Sequence, residues 1–174
     1  MPTHPAIFAI RRYQPGDHDG WVRCRVLSFL DTQYYDDVRP SRTALNDPSI
    51  ALVATDSREG AETVVGILDI QIEGRTATID TIATCPDHRS SGVGTGLLQA
   101  ALAELANLGI ETLDAWTRED VAANRWYQRN GFAEQFRYVH IYLGEDDDPT
   151  GFVTPQGLSL RSSLSCMASS RTRS

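Results

Sequence analysis

The chain has 174 residues, of which 41% are hydrophobic and 22% charged, and a formal net charge of −7. That length supports one self-sufficient core, and the composition excludes disorder throughout. An acidic chain with no basic run before its last residues excludes the usual footprint of a nucleic-acid binder, and Cys24, Cys85 and Cys166 are too scattered for a disulfide framework or a zinc site. No stretch approaches the ~20 apolar residues of a membrane span, and the first twenty residues lack a signal-peptide core. A cytoplasmic protein with no metal and no membrane partner is therefore expected.

The pattern predicts a short strand over Ala6–Ile10, broken by Arg11-Arg12 and by Pro15-Gly16. Asp17 is placed as the N-cap of a helix in which Trp21, Val22, Cys24, Arg25 and Phe29 recur at helical spacing. A polar and aromatic segment, Asp31–Pro48, follows, of the kind that overhangs a pocket or simply lies on the surface. Ile50–Ala54 and Thr63–Ile72 read as strands, and Glu73-Gly74-Arg75 as a hairpin turn into a strand over Thr76–Thr84. Gly92–Leu108 reads as a helix with the apolar stripe Val93, Leu97, Leu98, Ala101, Leu102, Leu105 and Leu108, stopped by Gly109. Glu111–Trp116 is a strand, Asp120–Arg129 a short helix, and Phe132–Leu143 a final strand or hairpin. Trp21, Trp116 and Trp126 are expected in the core, with Trp116 also a candidate for lining an acceptor pocket. Residues 1–144 form the predicted domain, and the acidic then Ser/Arg-rich 145–174 a disordered tail.

The chemistry is concentrated after the third of these long strands, in Cys85-Pro86-Asp87-His88-Arg89-Ser90-Ser91-Gly92-Val93-Gly94-Thr95-Gly96. Glycines let a ligand approach the backbone, and the first turn of the following helix offers unbonded N–H groups and a positive dipole end. Such a loop suits a pyrophosphate. It is not a P-loop, because no lysine follows the glycines, and the strand arrives from a hairpin rather than opening a βαβ unit.

The spacing Arg89-x-x-Gly92-x-Gly94 after Pro86-Asp87 resembles the acetyl-CoA motif of the GNAT superfamily of N-acetyltransferases. A second block, Ala122-Ala123-Asn124-Arg125-Trp126-Tyr127-Gln128-Arg129-Asn130-Gly131-Phe132, resembles that superfamily's tyrosine helix and the Gly-Phe step after it. The resemblance spans residues 6 to 143. It implies an α/β fold with a twisted, mixed central sheet flanked by helices, in which two central strands splay into a V. It also implies an enzyme that transfers acetyl from acetyl-CoA to a primary amine by direct attack in a ternary complex.

Carried onto this sequence, the resemblance gives the backbone amides of Ile82, Ala83 and Thr84 to the thioester and pantetheine, and those of Ser90, Ser91, Gly92, Val93, Gly94 and Thr95 to the pyrophosphate. Arg89 holds the loop or reaches a phosphate. Tyr127 is the expected acid for the leaving thiolate. The glutamates that serve as base in two branches of the superfamily fall here at Ala115 and Thr78, so neither is present. Asp80, two residues past Thr78 on the same strand, is the preferred base, with Glu119, Asp114 or a water chain as alternatives. Asp120 stands where many members carry an asparagine for the pantetheine amide, and Asn124 lies one helical turn before Tyr127.

Asp36, Asp37, Asp80 and Glu119 suggest a cationic amine as acceptor, and a homodimer through the C-terminal strands is compatible with the pattern. A non-catalytic acyl-CoA-binding regulatory module on the same fold is the alternative that the missing glutamates leave open. An unrelated nucleotide-binding α/β protein fits less well, for want of the lysine and the strand order.

Overall fold

The structure is a computed structural model that describes residues 8–58 and 60–135. In chain order the elements are β1 (Ala9–Arg12), α1 (His18–Phe29), β2 (Ser49–Asp56), β3 (Thr63–Glu73), β4 (Thr76–Thr84), α2 (Val93–Asn107), β5 (Thr112–Ala115) and α3 (Val121–Arg129). The strands form one five-stranded sheet in the order β1-β2-β3-β4-β5. Pairing is antiparallel as far as β4 and parallel between β4 and β5. This is the mixed α/β sheet expected from the sequence. All of these elements lie in the compact unit Met1–Phe132.

Side-chain alternation along the strands divides the core between the two faces. On one, Val93, Leu97, Leu98, Ala101 and Leu105 of α2 pack on Leu52, Ala54, Leu68, Ile70, Ala77 and Ile79. On the other, Trp21 and Cys24 of α1 pack on Val53, Ile67, Ala83 and Cys85. Leu97 and Leu98 are fully buried, and each contributes ~1.5–3 kcal/mol by leaving water. Gly74 turns the β3–β4 hairpin at φ +60°, a value that glycine adopts without a Cβ clash.

Several details depart from the sequence reading. The first strand lies later than expected, because Arg11 and Arg12 do not break it but pair with Val53 and Leu52. An edge strand tolerates such residues, since their side chains reach solvent and acidic partners: Arg11 bonds Glu62 at 2.9 Å, and Arg12 pairs with Glu104. Asp17 does not cap α1 through its side chain. It sits in a 3-10 turn, Pro15–Asp17, where its carboxylate accepts two hydrogen bonds from Arg11 (2.7 and 2.8 Å) and one from the Gln14 amide (2.8 Å). A bidentate guanidinium outcompetes a single helix amide for that carboxylate.

The apolar stripe of α2 is narrower than its leucines suggest, because Leu102 and Leu108 are exposed. Trp21 is core as expected and Trp126 is partly buried, but Trp116 is 65% exposed, since β5 ends at Ala115 and the chain leaves the sheet there. Residues 132–135 carry no regular element; the rest of the expected final strand, the dimer surface on it, the boundary at 144 and the tail lie outside the described residues. Among the described residues no helix is long and apolar enough to cross a membrane, and no group of three or more His, Cys, Asp or Glu is placed to hold a metal ion.

Candidate active site

Two irregularities in β4 create the site. Ile79 pairs with Ile70 and Thr81 with Asp69, so Asp80 is an extra residue with no partner on β3, a β-bulge. The bulge inverts the pleat. Ala77 and Ile79 pack on the α2 side, whereas Ala83 and Cys85 pack on the α1 side. At the same point the sheet parts: the β4–β5 ladder ends at Ile79↔Ala115, while β4 runs on to Thr84. Among the described residues, the segment 80–84 therefore has no strand beside it on the β5 side. Backbone groups that lack a ladder partner need another one, and an extended ligand arm can supply it.

Beyond Thr84 a 3-10 turn, Pro86–His88, leads into the glycine loop. Ser90 has φ +62° and Gly92 φ +89°. A non-glycine residue in the left-handed region stores strain, and Ser90 is held there between the His88 carbonyl, which accepts from both the Ser91 amide and its Oγ, and the anchored Arg89. The first carbonyl bond of α2 runs from Gly96 N–H to Gly92 O at 2.8 Å. The amides of Gly92, Val93, Gly94 and Thr95 accordingly find no carbonyl among the described residues. Four free N–H groups at the positive end of a fifteen-residue helix form an anion cradle.

Arg89 is engaged by the protein itself. Its guanidinium donates to both Asp31 carboxylate oxygens (3.1 and 3.0 Å) and to Ser28 O (2.9 Å), which ties the loop to the end of α1.

The third wall is α3. Asp120 caps it by accepting from the Ala123 amide at 2.8 Å. Asn124 turns back on the same turn, its Nδ2 donating to Arg118 O (3.0 Å) and Asp120 O (2.8 Å). Both residues thus build the helix start, and the second Asp120 oxygen is not part of that cap bond. Tyr127 packs edge-on between Trp126 and Phe132, with centroids 5.1 Å away on each side. Burial pushes its phenol pKa well above the ordinary tyrosine value, and the nearby Tyr34 adds to the rise. A Cβ built on Gly94 would lie 3.5 Å from Thr84 Oγ1 and 3.5 Å from the Trp126 ring. The end of β4, the cradle and α3 thus converge on one place.

Asp80 stands where β4 and β5 part. It is exposed, accepts a hydrogen bond from Thr81 Oγ1 at 3.1 Å, and its charge acts on Arg25 of α1 and on Asp69. The other acids expected to attract a cationic amine divide. Asp36 pairs with Arg118 and Asp37 with Arg25 and Arg39, so these two are already neutralised. The reading from sequence missed Asp69, a buried carboxylate held by Arg42 through bonds of 2.8 and 2.9 Å. Desolvation raises its pKa and the Arg42 bonds oppose the rise. An Asp inside the run Ile67-Leu68-Asp69-Ile70 was the available signal, because such a residue requires a buried partner.

Residues 18–132 match the family model described as Acetyltransferase (GNAT) family. The chain belongs to this family. A curated relative, a mycothiol acetyltransferase of Clavibacter michiganensis subsp. michiganensis, is 28% identical over 139 residues. That match takes in 75% of this chain but 44% of the relative, so the chain spans less than half of that protein's length. Among solved structures, the aminoglycoside antibiotic 6'-N-acetyltransferase of Acinetobacter baumannii superposes with a TM-score of 0.58 at 18% identity, over 79% of this chain and 98% of that one. An N-acetyltransferase of Thermoplasma acidophilum, solved with coenzyme A, does so with a TM-score of 0.61 at 15% identity, over 74% and 91%. At these identities the structures establish a shared fold, and GNAT membership rests on the family match.

Proposed function

We propose that the chain is an N-acetyltransferase that passes the acetyl group of acetyl-CoA to a primary amine by direct attack in a ternary complex. The observation that carries this reading is the meeting of a four-amide anion cradle with a strand end that, among the described residues, lacks a ladder partner, and with a partly buried phenol. Gly92 to Thr95 hold the pyrophosphate through their amides, with Ser90 and Ser91 shaping the approach, and Arg89 keeps that loop in place. Ile82, Ala83 and Thr84 offer main-chain groups to the pantetheine arm and the thioester carbonyl. A backbone donor aimed at the developing oxyanion lowers the barrier by about 3 kcal/mol.

The thioester supplies an activated acyl group, and the protein supplies three services: taking a proton from the ammonium, stabilising the oxyanion, and protonating the departing sulfur. Tyr127 performs the third. Its raised pKa keeps the phenol protonated throughout the physiological range, as a donor must be. Asp80 performs the first, directly or through water, from its exposed place at the parting of the strands. Asp80 and Glu119 are the acids left to favour a cationic acceptor. Aminoglycoside 6'-N-acetylation, the activity named for one of the structural neighbours, agrees with an amine as the acceptor class. The buried free thiols Cys24 and Cys85 support a reducing, cytoplasmic setting.

The absence of the two family glutamates, at Ala115 and Thr78, keeps a non-catalytic acyl-CoA-binding module as the second reading. A panel of primary amines that includes aminoglycosides and amino sugars, scored by release of CoA thiol from acetyl-CoA, separates the two. Release that depends on an amine and disappears in Tyr127→Phe supports the enzyme. Tight acetyl-CoA binding without release from any amine favours the module.

A further inference from the structure

The α1–β2 connection crosses to the opposite wall of the site and is fastened there. Tyr34 stacks on Phe29 at 5.3 Å and carries its hydroxyl to the turn between β5 and α3. There the Arg118 amide donates to Tyr34 Oη at 2.9 Å, and Thr117 Oγ1 shares a 2.5 Å hydrogen bond with the same oxygen. Thr117 Oγ1 in turn reaches Arg118 O at 3.3 Å, the carbonyl that also accepts from Asn124 in the first turn of α3. The Arg118 guanidinium lies 5.4 Å from the Tyr34 ring, donates to Gln33 O at 2.7 Å and pairs with Asp36. One turn after Asn124 comes Tyr127.

We infer that Tyr34 is a positioning residue for Tyr127, acting through the Thr117–Arg118 peptide that it pins to the first turn of α3. The same segment holds the opposite wall, since Asp31 anchors Arg89 of the glycine loop. Residues 31–36 therefore set both sides of the opening from one connection, and its tyrosine fixes the helix that carries the acid. Tyr34 also stands near enough to Tyr127 to raise its pKa further. The inference rests on the proposed role of Tyr127, but its contacts do not depend on that role.

The test uses the full chain labelled with 3-fluorotyrosine, with the Tyr127 fluorine resonance assigned by its loss in Tyr127→Phe. In Tyr34→Phe that resonance should shift or broaden, and its titration midpoint should fall as the helix start loosens and the second phenol is removed. Thr117→Val, which leaves both tyrosines in place, should move the resonance in the same sense, and Tyr35→Phe, an exposed neighbour, should leave it unchanged. With an active amine, Tyr34→Phe should lower kcat roughly 10- to 100-fold, the scale of a small misplacement, while the Kd for acetyl-CoA stays within about twofold. A Tyr127 resonance and midpoint that do not respond in a folded Tyr34→Phe or Thr117→Val overturn the inference. If the resonance responds but the wild-type chain fails to bind acetyl-CoA, positioning stands and the proposed function falls.

Discussion

Gly66 of β3 lies directly beneath Val93 of α2: a Cβ on Gly66 would fall 2.4 Å from Val93 Cγ1 and 3.1 Å from Leu97 Cδ1. The helix that opens with the anion cradle can therefore seat itself on the sheet only because residue 66 lacks a side chain. Gly66→Ala should lift the start of α2 and destabilise the fold by about 1–3 kcal/mol, the cost of overpacking. Because the tightest clash is with Val93, Gly66→Ala combined with Val93→Ala should recover part of the loss, and chemical denaturation of the four species of that cycle measures it. Strict additivity would mean that the two residues do not meet.

Gly92 is constrained differently. Among the described residues, its chain neighbours aside, no atom lies within 4 Å of where its Cβ would stand, yet its φ of +89° disfavours any other residue. Gly92→Ala should cost about 1–2 kcal/mol of stability through the backbone alone. Gly92→Glu adds a bulky anion beside the cradle and should weaken acetyl-CoA binding by roughly 100-fold or more, through charge repulsion and blocked amides. Equal affinities for the alanine and glutamate variants in titration calorimetry would remove the pyrophosphate from this loop.

Tyr127→Phe should leave acetyl-CoA affinity within about twofold and lower kcat by about 100-fold, within the usual range for a general acid. The direction of its pKa shift fixes the pH dependence. The phenol acts when protonated and its pKa is raised, so Tyr127 should cause no loss of rate until the pH exceeds the ordinary tyrosine range. A decline near pH 8 that vanishes in Tyr127→Phe would contradict this.

Asp17 and Asp69 make opposite predictions for acid stability. The Arg11 bonds lower the Asp17 pKa, so the native state holds this proton less tightly than the unfolded chain does. Its contribution is complete above the unfolded carboxylate pKa and is lost as pH falls through the folded value. Asp17→Asn should therefore flatten the acid limb of a melting-temperature profile. Burial raises the Asp69 pKa, so Asp69 favours the native state more as pH falls, and Asp69→Asn should remove a gain on acidification. At neutral pH Asp69→Asn leaves Arg42 without its carboxylate and should cost about 3–5 kcal/mol. Identical pH profiles for the two variants would refute both assignments.

Much of this was legible in the sequence because it depends on local chemistry. β4 runs over Thr76–Thr84 as the hairpin turn and Pro86 dictate, and α2 begins within one residue of the expected Gly92. The glycine spacing marked where α2 begins, and the second block marked the short helix that carries Tyr127. What stayed hidden depends on pairing at long range. Nothing around Asp80 announces that β3 skips it, because a bulge is a property of two strands in register. Asp36 looked like a free acid because Arg118, which neutralises it, is far from it in the chain, and the Arg25 partner of Asp37 lies back in α1. Trp116 looked like core by its residue type, whereas the early end of β5 leaves it exposed.

Titration calorimetry of the purified chain with acetyl-CoA, alongside CoA and ATP, tests the central claim most directly. The account predicts saturable one-site binding of both CoA species, sharply reduced by Gly92→Glu and nearly unaffected by Tyr127→Phe, with ATP far weaker because it lacks the arm that β4 receives. Absence of acetyl-CoA binding to the folded wild-type chain, or binding indifferent to Gly92→Glu, would contradict it.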